Sequence, residues 1–563
     1  MLQRFKPRHV ASATALFVML SAGAQTAPPT IPTPGELGDR RPEVATDPSR
    51  LPAVKPPPRQ LGKPEDETKL DIVRFEVAAD APAALRANLA RLTQPFVGPG
   101  KTFADMADAA AEASRFLQRD LGYYLGFAYI PEQSPKDGVV RIEVLEGRLD
   151  AVELQWKDGL PVDRSVVEGY LSQLKPGAVL LVRDVERVVF LVNDLRGLAA
   201  EFEVRAGRAP GTAMLVVKPR AVDRTTWSLE LDNTNARTLG QERLSASVTR
   251  YSPFGRGDSV TGSLIASKGL TFALGNYTSP VGASGLRLGA SLSALQYKVD
   301  RNSFPLGIEG EAATVSVFGL YPFVRSRNLN LFVVGTLDAK SYRDTNGGIT
   351  NPKQVSNASI GLTGDVRDSL LGGGINSLDA QITSGRITFD RPVAFDAPDT
   401  SFSKITFRAV RLQNLIPGLL QGYGAVRLQK AFNNLDVTEQ FRAGGPDGVR
   451  AFPAGEGSGD NGALVTVELR VVPPVDWFRT IGGRAFVSVF YDWSRIEQRN
   501  ELRGQDASFV NLQSYAGWGV ATVWNGPNGW NLRASVAAPT ENEAKSEADR
   551  SKARFFVTLS KQF

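Results

Sequence analysis

The sequence predicts two small α+β units of βααββ order, followed by an all-β transmembrane barrel of about sixteen antiparallel strands. Three observations predict it. Helical periodicity runs only as far as about Arg224, polar and apolar residues then alternate for over three hundred residues, and the chain stops on a strand ending in Phe563. Of 563 residues, 42% are hydrophobic and 22% charged. No apolar run reaches the ~18 residues that a spanning helix needs, which excludes a helical membrane protein and leaves a barrel open.

There is no Cys, and the one His is His9. It falls in a secretory leader, residues 1–24, with a basic start (Arg4, Lys6, Arg8), an apolar stretch and the small residues Ala22, Gly23 and Ala24 at the cleavage point. The mature chain is expected to hold neither thiol nor imidazole. That removes thiolate nucleophiles, Ser-His-Asp triads, zinc–sulfur sites and haem ligation, so no catalytic residue, metal or cofactor is expected and the protein reads as a non-enzyme. Loss of three basic leader residues takes the formal net charge from +6 to about +3. Without a concentrated basic face, nucleic acid is not an expected partner.

Residues 25–69 are dominated by proline and charge and read as an extended periplasmic linker. The first unit, residues 70–150, opens with a strand over 71–77 and a helix over 83–92. A second helix carries Phe103, Met106, Ala110, Ala113 and Leu117 on one face, with Thr102 and Asp105 as its cap pair. Strands over 126–130 and 139–144 close it around the turn Lys136-Asp137-Gly138. The second unit, residues 151–222, repeats the order at about seventy-five residues' distance: strand 151–156, helix 164–174, a helix bearing Val185, Val188, Val189 and Val192, then strands 201–205 and 213–218. Each unit is expected to leave an edge strand with unpaired backbone groups, Gly126, Phe127, Ala128, Tyr129 and Ile130 in the first and Glu201, Phe202, Glu203, Val204 and Arg205 in the second. An extended cargo segment would complete it by strand addition.

The barrel is expected over 223–563. In 227–232, 463–471 and 530–536 every second residue is apolar, over strands of about ten to fourteen residues, long enough to cross a membrane at a tilt. Parity sets Glu468, Arg470, Arg533 and Arg554 toward the lumen, and Phe490 and Asp492 with them. At the C-terminus Phe555, Val557, Leu559 and Phe563 share one parity, interrupted by Lys561, and resemble the signal by which bacterial outer-membrane barrels are recognised for insertion. That makes the barrel-assembly machinery and outer-membrane lipid expected partners.

The layout resembles the TpsB translocators of two-partner secretion, the family of haemolysin activators and filamentous-haemagglutinin transporters. The βααββ units resemble polypeptide-transport-associated (POTRA) domains: Ile130-Pro131-Glu132-Gln133, Asp137-Gly138 and the run from Glu143 to Leu149 match the end of the first. The run from Phe190 to Gly197 matches the second, with Arg196 where the family has proline. In the barrel, Val449, Arg450, Ala451 and Phe452 resemble the superfamily's Val-Arg-Gly-Phe/Tyr lumen-loop motif, with Ala451 in place of the usual Gly. Phe490 and Asp492 resemble the strand element that binds the motif arginine. The resemblance implies a Gram-negative outer-membrane pore that recognises a secreted partner, a TpsA-like adhesin or haemolysin, through periplasmic POTRA domains and exports it without ATP. A barrel-assembly insertase is the alternative.

Two other patterns carry less. Gly457-Ser458-Gly459-Asp460-Asn461-Gly462 matches a dinucleotide fingerprint but lies between barrel strands with no following helix. Glu541, Glu543 and Glu547 read as a solvated outer loop. The loop over 433–460 is rich in glycine, and nothing in its own sequence is expected to hold it in one place.

Overall fold

The computed structural model describes residues 69–300, 307–390, 398–474, 480–503, 509–541 and 553–563. The leader, the proline-rich stretch up to residue 68, Glu543 and Glu547 lie outside the described residues. Among the described residues no helix is long and apolar enough to cross a membrane.

The first α+β unit runs β1 (Leu70–Ile72), β2 (Arg74–Val77), α1 (Ala83–Thr93), β3 (Gly98–Lys101), α2 (Phe103–Arg119), β4 (Phe127–Tyr129) and β5 (Val139–Leu145). The expected strand over 71–77 breaks at Val73, whose N–H donates to the Gly138 carbonyl at 2.8 Å. The break lets β1 pair with β3 in a separate ribbon, while β2, β5 and β4 form a sheet in that order. Helix α2 starts with a capping box: the Thr102 N–H donates to Asp105 at 2.8 Å, and the Asp105 N–H to the Thr102 hydroxyl at 3.4 Å. Its apolar face (Met106, Ala110, Ala113, Leu117) packs with Leu85, Val140 and Ile142 as the core.

The second unit runs β6 (Arg148–Leu154), α3 (Arg164–Leu171), α4 (Val182–Asn193), β7 (Leu198–Ala206) and β8 (Thr212–Ala221), in sheet order β6-β8-β7. Its first strand starts at Arg148, three residues before the expected start at Ala151. The two units are stapled through backbone. Tyr124 N–H donates to Leu180 at 2.7 Å, Val182 N–H to Gly122 at 2.8 Å and Leu180 N–H to Gly147 at 3.1 Å, and the Tyr124 side chain is buried in the second unit's core. Gly147 has φ +71°, and a Cβ there would lie 2.5 Å from that of Leu125.

From Asp223 a closed barrel of sixteen antiparallel strands begins. Its first half is β9 (Thr225–Asp232), β10 (Arg243–Tyr251), β11 (Ser259–Ser267), β12 (Leu270–Pro280), β13 (Arg287–Lys298), β14 (Ile308–Arg325), β15 (Leu329–Asn346) and β16 (Ile349–Asp368). It continues with β17 (Gly374–Phe389), β18 (Ser401–Ile416) and β19 (Leu420–Ala431). After a loop holding the short pair β20 (Phe441–Arg442) and β21 (Ser458–Gly459) come β22 (Asn461–Val471), β23 (Arg484–Glu497), β24 (Leu512–Asn525), β25 (Trp530–Glu541) and β26 (Arg554–Gln562). Strand β26 closes on β9 over five residue pairs, from Thr558 opposite Asp232 to Gln562 opposite Ser228.

Facing follows parity. Trp227, Leu229, Leu231, Val467, Leu469, Val487 and Val489 are exposed on the outer wall, while Glu468, Arg470 and Asp492 are buried in the lumen. Lengths depart from expectation. Strands run from 8 residues in β9 to 20 in β16, with 16 to 20 in each of β14 to β18. An apolar cluster also lines the lumen: Phe272, Leu295, Tyr297, Tyr342, Val355, Ile387 and Phe402 pack with Leu239 and Leu435 from two loops.

Candidate functional site

The loop between β19 and β22 folds into the lumen and is held by more than charge. Phe441, Ala443, Val449, Ala451 and Phe452 form one buried cluster with Leu464, Phe490, Ile496, Tyr515 and Ala537 of the wall strands β22 to β25. Phe452 meets Tyr515 edge-on, with ring centroids 5.1 Å apart. The expectation that nothing in the loop's own sequence would fix it is therefore corrected: its few apolar residues are the ones that dock.

Arg450 sits between two strands. Its Nε and Nη2 donate to the two oxygens of Asp492 on β23, each at 2.8 Å. Its backbone N–H adds a third contact to Asp492 at 3.1 Å, and Nη1 donates to Glu468 on β22 at 2.8 Å. The guanidinium lies 3.3 Å from the centroid of the Phe490 ring, which gives the Phe490/Asp492 pair two distinct tasks, stacking and charge. Thr466 donates its hydroxyl to Asp492 at 2.9 Å, and Arg470, held against Tyr423, donates to Glu468 at 2.8 Å. Burial disfavours the Arg450 charge, but Asp492 and Glu468 outweigh it and raise its pKa above the ordinary value. The double grip of Glu468 is a feature that sequence reasoning missed.

Ala451 needs no strained backbone, since its φ is not positive. Its methyl faces Gly517 of β24, where an added Cβ would lie 2.3 Å from it. The Ala451 side chain of the loop sits opposite a wall position that has none.

A second anchor lies nearer the loop's start. Glu439 meets Lys340 of β15 at 2.8 Å and Lys404 of β18 at 2.9 Å, and Asp436 meets Lys353 of β16 at 2.9 Å. Burial alone would raise the Glu439 carboxyl, but the ammonium groups of Lys340 and Lys404 hold it down at about 2.

In the α+β units both expected edge strands lie at sheet edges, but they differ. The first is covered. Ser114 of α2 accepts the Ala128 N–H at 2.8 Å and donates to the Ala128 carbonyl at 3.1 Å, while Gln118 donates to the Gly126 carbonyl at 2.8 Å. The expectation of unpaired backbone groups along 126–130 is corrected at these positions. Phe127 and Tyr129 stack on each other, and Tyr129 donates to Glu143; Ile130 is buried.

In β7, among the described residues, Asn193 covers the outward groups of Ala200, accepting its N–H at 2.9 Å and donating to its carbonyl at 3.2 Å. The unbroken β7–β8 register then turns the backbone groups of Phe202 and Val204 to the open edge. Glu201 and Arg205 are exposed, and Glu203 is held down at about 2 by Arg205 and Lys218. At the C-terminus Phe555, Leu559 and Phe563 face outward, and Val557 is half-buried. The Lys561 ammonium lies 4.9 Å from the Trp530 ring and 5.3 Å from that of Phe563, so the interrupting charge is shielded by aromatic faces.

The model of the haemolysin secretion/activation proteins ShlB/FhaC/HecB matches residues 211–522, more than half of the chain. The chain belongs to this family. The ShlB-type POTRA domain matches residues 70–147. The chain is 23% identical to the heme/hemopexin transporter protein HuxB of Haemophilus influenzae (strain 86-028NP) over 100% of both. It is 23% identical to the outer membrane transporter CdiB of Dickeya dadantii (strain 3937) over 63% of this chain and 64% of that one. Among solved structures, CdiB from Escherichia coli shares the fold with a TM-score of 0.70, at 16% identity over 100% of both chains. BamA from Haemophilus ducreyi lacking POTRA domains 1-3 gives 0.51, at 15% identity over 88% of this chain and 100% of that one. This family member is an outer-membrane transporter of two-partner secretion with periplasmic POTRA domains, and the insertase alternative is not favoured.

Proposed function

We propose that the protein captures an extended segment of one large secreted partner, of the adhesin or haemolysin class, on the open edge of β7 and passes it outward through the barrel without ATP. The observation that carries this reading is the lumen loop. It docks inside a closed barrel through side chains and a few single backbone groups, and its own strand pair β20–β21 joins no wall strand, so a passing polypeptide can displace it and it can reseat. Arg450, Asp492 and Glu468 act as its seat, the role proposed for the Val449-Arg450-Ala451-Phe452 and Phe490/Asp492 motifs. The barrel-assembly machinery reads the terminal strand through Phe555, Val557, Leu559 and Phe563, and the protein carries out no catalytic step.

Capture is tested at Val204. Its N–H points away from β8, so Val204→Pro spares the ladder and removes one outward donor, about 1 kcal/mol or about fivefold in capture. Secretion of the partner should fall by about that factor in Val204→Pro and change little in Val204→Ala, which trims the same side chain. Equal secretion by both variants, or normal export after removal of residues 70–222, would overturn the reading.

A further inference from the structure

Three lysines from three different strands converge inside the barrel, Lys340 on β15, Lys353 on β16 and Lys404 on β18, none more than 12% exposed. The wall itself does little to neutralise them. Among the described residues Lys353 has Asp344 of β15 at 3.7 Å, and Lys340 feels the charge of Asp338 on its own strand. The close carboxylates come from the loop. Glu439 bridges Lys340 and Lys404, its backbone carbonyl accepts from Lys404 at 2.7 Å and from Gln429 at 3.1 Å, and Asp436 takes both of its contacts to Lys353 within 3.1 Å. Asp436 is preset for this by its own turn, accepting from the Thr438 N–H and hydroxyl.

We infer that this lysine cluster is a binding site for acidic segments of the exported polypeptide, and that Asp436 and Glu439 are a built-in acidic ligand that occupies it while the pore is at rest. The inference rests on the export role proposed above. Once the loop is displaced, three ammonium groups in a sheltered wall lose their closest counter-charges, and an uncompensated buried charge is costly. A carboxylate on the passing chain restores the contact that Glu439 made. Acidic stretches are then drawn into the lumen, and the loop returns only when they have left.

The test uses the full-length protein in detergent, with folding checked by heat-modifiable gel migration, and fluorescence anisotropy of labelled decaglutamate and decaglutamine peptides. Asp436→Asn with Glu439→Gln should bind decaglutamate about tenfold tighter than the unaltered protein, since the internal competitor is gone, and should ignore decaglutamine. Binding should weaken steeply between about 0.05 and 0.5 M salt. Adding Lys340→Gln, Lys353→Gln and Lys404→Gln should abolish the gain; if that variant misfolds, Lys404→Gln alone should remove most of it. No gain in the carboxamide variant, or a gain that survives loss of the lysines, overturns the inference. Secretion is not read in this assay, so its failure leaves the export role to be judged by the Val204 experiment.

Discussion

Replacing Arg450 by alanine removes four hydrogen bonds and the stacking on Phe490 at once. The backbone N–H contact goes with the rest, because it depends on the loop staying seated. Its two carboxylate partners do not suffer equally: Glu468 keeps Arg470, while Asp492, with a side chain only 1% exposed, keeps among the described residues the Thr466 hydroxyl alone. The cost is that of orphaning one buried carboxylate, about 3–5 kcal/mol, rather than the loss of under about 1 kcal/mol expected at a solvated pair. That corresponds to about a 10²- to 5 × 10³-fold rise in the ratio of displaced to seated loop. Because the sequence contains no Cys, Val449→Cys places a single thiol at a fully buried position in this loop. Its maleimide labelling rate in membranes should rise about 10²- to 5 × 10³-fold when Arg450→Ala is added. Asp492→Ala should do less, because Arg450 retains Glu468, and the double variant should be no worse than Arg450→Ala alone. A rise under about fivefold, or additive effects in the double variant, would refute the reasoning.

Gly517→Ala should loosen the same loop by about 1–3 kcal/mol, since the new Cβ lies 2.3 Å from that of Ala451 and 2.8 Å from the Ala538 carbonyl. Ala451→Gly in the same chain should recover part of that loss, and labelling at residue 449 would show whether it does. The Glu439 carboxyl lies below its ordinary value of 4.5, at about 2, so its contribution is complete above about 4.5 and falls away progressively as the pH drops from there through about 2. Conductance in planar bilayers should therefore hold steady from pH 7 to about 5 and rise progressively between about 4.5 and 2, and Glu439→Gln should remove that rise. Tyr124→Ala should cost about 3–5 kcal/mol at the staple between the POTRA units, seen as faster amide exchange at Leu180 and Val182.

Much of this architecture was legible because its signals are local. Alternation placed Trp227, Leu229 and Leu231 outside, and the Thr102/Asp105 spacing marked the start of α2. The seat of Arg450 was legible only through resemblance, since an arginine in a loop and a carboxylate on a strand do not announce each other. Glu468 was hidden among inward polar positions. Only the β22–β23 register, which sets Thr466 opposite Asp492 and Glu468 opposite Phe490, brings it under the guanidinium. The covering of Gly126 and Ala128 by Ser114 and Gln118 was equally out of reach, because it depends on how a helix packs beside a strand edge rather than on any pattern within either. Likewise the loop's sparse apolar residues gain their weight from wall glycines such as Gly462 and Gly517, whose missing side chains leave room for Phe441 and Ala451.

The unequal strands give the pore a sloping rim. At about 3.3 Å per residue and a tilt of about 40°, strands of 16 to 20 residues rise about 40–50 Å, against an apolar band of about 25 Å. The surplus stands on the outer side: the outward face of β14 and β15 is apolar at Val315, Val317, Phe323, Leu329 and Leu337 and turns polar toward Glu309, Glu311, Ser341 and Arg343. Opposite this screen, β26, β9 and β10 have only 8 or 9 residues and reach little beyond the lipid. Among the described residues the strands thus form a tall polar parapet on one side and a low rim on the other, next to the seam where the first and last strands meet.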